Sequence, residues 1–179
     1  IRAAIAKNNK RADYHGLLGD MLTTRGDFHS ALDAYDKALK INPSHHGVIA
    51  GKANTWLRLN EPVKARGLVE PIAKQGNEDL TITIVYAKSL IEDGDPMQGA
   101  DVLLKRLPAE DEPNETRRSM YFVLGKAMEM AGEYQSAFEA YTEGNKLSSS
   151  GYNFEQSASR HHEIIAAFPE ATIKDMPKS

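Results

Sequence analysis

Three columns of small or turn-forming residues recur along this chain, and they constrain its fold more than any other feature. Gly19, Gly26 and Ala31 are followed 34 positions later by Ala53, Asn60 and Ala65. A further 34 positions give Ala87, Gly94 and Gly99, and 38 more give Gly125, Gly132 and Ala137. A repeat of this length marks a stack of supersecondary units, each too small to hold a core alone. The first and third columns are small so that two antiparallel helices can cross closely. The middle column is the turn between them, where Gly or Asn accepts a left-handed backbone.

Large apolar residues surround these columns at helical spacing. They are Leu18, Leu22, Phe28, Tyr35 and Leu39 in the first unit, and Leu124, Met128, Tyr134 and Tyr141 in the last. Pro43 stops the second helix of the first unit. Residues 18–43, with Leu18, Gly19, Gly26, Ala31, Tyr35, Ala38 and Pro43 in place, resemble a near-consensus tetratricopeptide repeat. His15 stands where that family usually has an early Trp. The resemblance implies an all-α fold, a right-handed α-α superhelix of helix-turn-helix repeats.

Its register sets repeats at 12–45, 46–79, 80–113 and 118–151, after a partial repeat at 1–9 with Ala4 in the column of Ala38. The solenoid is thus expected to span 1–151. The two middle repeats depart from the pattern. Lys52 replaces a core leucine, Ile72 and Arg106 replace a small residue, and neither repeat ends in proline. Helix pairs are still predicted from the apolar runs 48–59, 63–73, 82–91 and 100–107, with looser packing and some irregular twist. The extra residues near 112–116 lengthen the loop or add a turn to the following helix. Phe154, Ala158, His161, Ile165 and Phe168 then form one apolar stripe, opposite Glu155, Gln156, Ser159 and Glu163. This stripe predicts a capping helix at 152–168, ended by Pro169, and a polar tail or linker at 169–179.

Composition narrows the function classes. Hydrophobic residues make up 41% and charged residues 26%, with a net charge of −3, which is a globular balance without the basic excess of a nucleic-acid binder. No stretch approaches the ~18 apolar residues of a membrane span, so no membrane partner is expected. Cysteine is absent, which excludes disulfides, thiol catalysis and cysteine-ligated zinc. No basic-then-apolar leader is visible, and the cytoplasm is the default compartment. Residues 1–7 follow a helical pattern without a capping residue, which reads as a fragment cut from a larger protein.

No catalytic or cofactor motif emerges. Adjacent helix residues point about 100° apart, so His45–His46 and His161–His162 are poor metal pairs. His45 and His46 are read as starting a helix, and His161 as edging the cap. The turns at Gly94 and Gly132 carry no phosphate-binding fingerprint. Asn114-Glu115-Thr116 is a glycosylation acceptor only in a secreted chain, and otherwise a turn that starts a helix. Met176-Pro177-Lys178-Ser179 matches the start of a sulfotransferase phosphate loop by coincidence, since no apolar strand precedes it.

The groove remains. In tetratricopeptide proteins the first helix of each repeat lines the concave surface, which places Asp20, Asn54, Lys88 and Lys126 at its ninth positions. Asp13, Thr23, Arg58, Glu92, Phe122 and Glu129 lie nearby. The candidate groove-lining set is Asp20, Asn54, Arg58, Lys88, Phe122, Lys126 and Glu129, suited to a protein or extended peptide; the plain reading of each residue alone is a solvated face. The chaperone-tail carboxylate clamp is disfavoured by Gly16 and Asp20, because Asp20 repels a terminal carboxylate. The asparagine ladder of the O-linked N-acetylglucosamine transferase is disfavoured by Leu17, Gly51, Val85 and Val123.

Residues 137–147, then Tyr152, then a helix bearing Arg, Ile and Phe are similar to the last repeat and cap of bacterial tetratricopeptide-repeat sulfotransferases. That resemblance implies a parent enzyme using 3′-phosphoadenylyl sulfate, its catalytic domain beyond Ser179 and packed on or served by the groove. Two readings follow: a non-catalytic binding scaffold without a cofactor, and the non-catalytic half of a sulfotransferase. Pairing of two chains through an exposed edge is a third arrangement of the same surface.

Overall fold

A computed structural model describes residues 12–75, 79–106 and 108–147. The chain divides into two units, Ile1–Leu147 and Ser148–Ser179. The expected partial repeat at 1–9, capping helix at 152–168 and tail at 169–179 lie outside the described residues.

The described residues form eight α-helices: α1 (Ala12–Thr24), α2 (Phe28–Ile41), α3 (His46–Arg58), α4 (Pro62–Lys74), α5 (Leu80–Glu92), α6 (Pro96–Lys105), α7 (Asn114–Met130) and α8 (Tyr134–Lys146). Local chemistry sets their starts. Asp27 caps α2 by accepting from the Ser30 N–H at 3.3 Å, and Asp95 caps α6 by accepting from Gln98 at 3.0 Å. Pro62 and Pro96 occupy the first turns of α4 and α6, where a missing N–H costs nothing. His45 caps α3, its Nδ1 accepting from the Val48 N–H at 3.4 Å, and His46 is the first helical residue.

The three sequence columns have the physical roles their sizes demand. The middle column, Gly26, Asn60, Gly94 and Gly132, has φ of +80°, +58°, +95° and +83°, turning each first helix back onto its second. Ala31, Ala53, Ala65 and Ala87 are fully buried at the crossings. A Cβ on Gly19 would sit 2.5 Å from the Tyr35 ring, and one on Gly125 would sit 2.5 Å from the Tyr141 ring. These positions are small because an aromatic ring from the second helix occupies the space.

Each helix packs on the next in sequence. The first helices also pack on one another, α1 on α3, α3 on α5 and α5 on α7, whereas among the described elements the second helices do not. One continuous inner layer and one splayed outer layer result, which curves the stack and leaves the inner layer facing a groove. Three core clusters follow one another along the chain, bridged by Leu39 and Val102, each of which packs against two of them.

The middle of the stack differs from the looser packing its sequence suggests. Helix α5 is buried along most of its length, from Leu80 to Ile91, because α3, α4, α6 and α7 all contact it. Lys52 is accommodated by an ion pair to Asp36 at 2.5 Å. Arg106 ends α6 and pairs with Glu112 at 3.1 Å. The residues inserted between the third and fourth pairs give α7 an added turn, 17 residues against 13 in α1, α3 and α5. Its start at Asn114 explains why Asn114-Glu115-Thr116 reads as a helix-initiating turn.

Candidate functional site

The inner layer carries two adjoining clefts. The larger, about 640 Å³, is formed by α1, α3 and α5, with Asp20, Asn54, Arg58, Lys88 and Glu92 on its walls. The smaller, about 340 Å³, is lined by Lys88, Glu115, Arg118, Ser119, Phe122 and Val123. Lys88 belongs to both. The structure therefore brings together five of the seven groove residues named from sequence, four around the larger cleft and Phe122 at the smaller. Lys126 and Glu129 are not part of either lining.

A polar network forms the floor of the larger cleft. Tyr35 reaches from α2 between Gly19 and Gly51, and its hydroxyl donates to Asp20 Oδ1 at 2.7 Å. Thr55 donates to the Gly51 carbonyl at 2.9 Å and sits 2.9 Å from the Thr23 hydroxyl. Burial pushes the Tyr35 phenol up to about 12, and the Asp20 carboxylate beside it adds to the rise. Tyr35 reads from sequence as an apolar core residue; nothing in its spacing signals that its hydroxyl surfaces at the groove.

Charges on the walls are unequally engaged. Glu92 accepts from Lys126 at 3.3 Å, and Glu129 accepts from the Tyr141 hydroxyl at 2.8 Å. Lys88 is half-buried and makes no hydrogen bond or ion pair within the described residues; burial draws its pKa below the usual lysine value, with Glu92 opposing and Lys126 and Arg58 adding to the fall. Arg118, which the sequence reading did not select, stacks over Phe122 with its guanidinium 5.2 Å from the ring centre. Phe122 in turn lies 5.8 Å from the Tyr141 ring.

Among the described residues no group of three or more His, Cys, Asp or Glu could hold a metal ion. His45 and His46 point apart, to Asp13 at 3.3 Å and to Asp79 at 3.5 Å. No helix among the described residues is long and apolar enough to cross a membrane.

Paired helices with small residues at their crossings, left-handed turns and an inner layer of first helices make the architecture of a tetratricopeptide solenoid. A tetratricopeptide repeat family model matches residues 22–88. Solved tetratricopeptide-type structures share the fold across most of the chain. A truncated MamA from Desulfovibrio magneticus RS-1 superposes with a TM-score of 0.60 at 19% identity, covering 80% of this chain and 78% of that one. Another MamA crystal structure gives 0.56 at 20% identity, covering 76% and 72%. YrrB, described as a TPR protein with an unusual peptide-binding site, gives 0.53 at 15% identity, covering 89% and 97%. No curated protein sequence matches this chain. At these identities the likeness is one of fold, a tetratricopeptide solenoid.

Proposed function

We propose that this chain is a non-catalytic scaffold whose concave face holds an extended segment of a partner protein. The observation that carries the reading is the pair of adjoining clefts on the inner layer, joined at Lys88 and walled by side chains of four successive first helices. An extended peptide lying across those helices meets a polar floor that supplies hydrogen bonds to its backbone. It also meets one aromatic wall, at Phe122, for an apolar side chain. YrrB, with the same fold, is described by its peptide-binding site.

Photo-crosslinking tests this directly. A benzoylphenylalanine at Thr24 or Ser119, each on a cleft wall, is expected to give adducts with a common partner segment. One at Val63, 58% exposed on the outer helix α4, is expected to give none. The mapped segment, made as a synthetic peptide, should bind the chain and suppress the adducts. Adducts from Val63 alone, or a mapped segment that does not bind, would remove the groove from the function.

A second reading rests on the similarity of residues 137–147 to the last repeat of tetratricopeptide-repeat sulfotransferases: the groove then serves a catalytic domain encoded after Ser179. Its test is the encoded sequence downstream. An apolar strand followed by an Arg-Ser-Gly-Thr-like loop supports it, and the absence of one within the next ~30 residues ends it.

A further inference from the structure

The larger cleft holds two carboxylates, and neither makes an ion pair with the cleft's own cations, Arg58 and Lys88. Asp20 is engaged by the Tyr35 hydroxyl at 2.7 Å, and Glu92 is engaged by Lys126 at 3.3 Å. Neither Arg58 nor Lys88 has a carboxylate within ion-pair distance among the described residues, and the Asn54 amide has no hydrogen-bond partner there. Lys88 is half-buried. A half-buried ammonium whose one neighbouring carboxylate, Glu92, stands beyond ion-pair distance and is paired with Lys126 is incompletely compensated, and a bound anion offsets that penalty. Arg58 adds a planar donor pair on the neighbouring helix, suited to two oxygens of one group, and Asn54 adds a neutral donor one turn before it.

We infer that Arg58, Lys88 and Asn54 form a subsite for one anionic oxygen group, a carboxylate or phosphate monoester, carried on the extended peptide in the groove. The inference rests on the groove-binding reading and deepens it. The chaperone-tail clamp is a different arrangement, because the Gly16 and Asp20 positions it would use hold no cation. Lys88 also borders the smaller cleft, so the residues next to the anion run toward Phe122 and Val123. The recognised segment is therefore an acidic anchor with an apolar side chain a few residues away.

Selection of random 12-residue peptides on the intact chain, followed by fluorescence anisotropy, tests this. Selected peptides should share one acidic position. Replacing that Glu by Gln should weaken binding about tenfold, the scale of one charge-assisted contact. Lys88→Met should cost a similar factor, and in that variant the Glu-to-Gln change should matter less than twofold. Lys88→Met places an apolar chain where a half-buried cation stood, so its melting temperature should not fall. Arg58→Gln, at an exposed position, gives an independent check of the same coupling. A phosphoserine peptide binding more tightly than its Glu twin assigns the subsite to phosphate monoesters, and the reverse order assigns it to carboxylates. Groove-bound peptides with no acidic preference would overturn the subsite while leaving the groove reading intact. Equal losses for the Glu and Gln peptides in Lys88→Met would also overturn it. If no peptide binds the groove, both fall together.

Discussion

The hydroxyl of Tyr35 donates to the carboxylate of Asp20 at 2.7 Å, tying the second helix of one pair to the inner face of the first. The bond holds the Tyr35 ring in the gap left by Gly19 and Gly51, and it fixes one oxygen of the Asp20 carboxylate at the groove wall. Tyr35→Phe should therefore destabilise the chain by about 0.5–1.5 kcal/mol in urea unfolding, the net worth of one hydrogen bond, since the exposed Asp20 carboxylate can turn to water instead.

The same residue gives a pH signature. Its folded pKa, about 12, lies above the ordinary value of 10.0. A group raised in this way contributes stability that is complete below the unfolded pKa and lost as pH climbs through the folded one. Stability should fall across pH 10 to 12, and Tyr35→Phe should flatten that part of the profile. An alkaline limb of equal steepness in the variant would assign the loss to other groups.

Steric need, rather than helix propensity, explains the glycine columns. Gly19→Ala gains about 1 kcal/mol of helix propensity but forces a methyl to 2.5 Å from Tyr35, an overpacking cost of about 1–3 kcal/mol. Gly67 sits inside α4 with nothing within 4 Å of a new Cβ. Gly67→Ala should raise stability by about 0.5–1 kcal/mol where Gly19→Ala lowers it. Thermal melts of the two variants check the sign; a stabilised Gly19→Ala would remove the ring-packing account.

What the sequence made legible was whatever one position determines by itself. Gly26 and Asn60 accept the left-handed backbone that the turn column needs, and Ala31 and Ala53 must be small for helices to cross. What stayed hidden depends on pairs brought together from different helices. Lys52 looks like damage to a core column until Asp36, on α2, is seen beside it. Leu80 to Ile91 looks like one degenerate half-repeat until four neighbouring helices are placed around it. Within the candidate groove, the ninth-position rule found Asp20, Asn54 and Lys88. It did not find which carboxylates were already engaged, because those partners, Tyr35 and Lys126, lie 15 and 34 residues away from Asp20 and Glu92.

Lys52 also makes the degenerate repeat testable. Its side chain is 16% exposed and its partner Asp36 is 50% exposed, so removing only the partner strands a charge in a partly buried place. Asp36→Ala should cost about 1 kcal/mol or more, whereas Lys52→Leu, which restores the family's usual residue, should leave stability unchanged or improve it. Equilibrium unfolding of both variants decides it. Equal losses would mean the ion pair, and not its desolvation, governs the site.

Glu92 and Lys126 face each other at 3.3 Å between the third and fourth first helices, 36% and 54% exposed. A pair so exposed should contribute within about 1 kcal/mol, so Glu92→Gln should unfold almost as the parent does. Its larger effect should be on the groove. Neutralising Glu92 frees Lys126 and removes the one carboxylate that counters Lys88. Affinity for an acidic groove peptide should rise a few-fold in low salt, with the gain shrinking once the Debye length falls to about 3 Å near 1 M salt. Anisotropy titrations of Glu92→Gln at the two salt levels measure this. Weaker or salt-independent binding in the variant would show that Glu92 contacts the peptide itself rather than balancing Lys88.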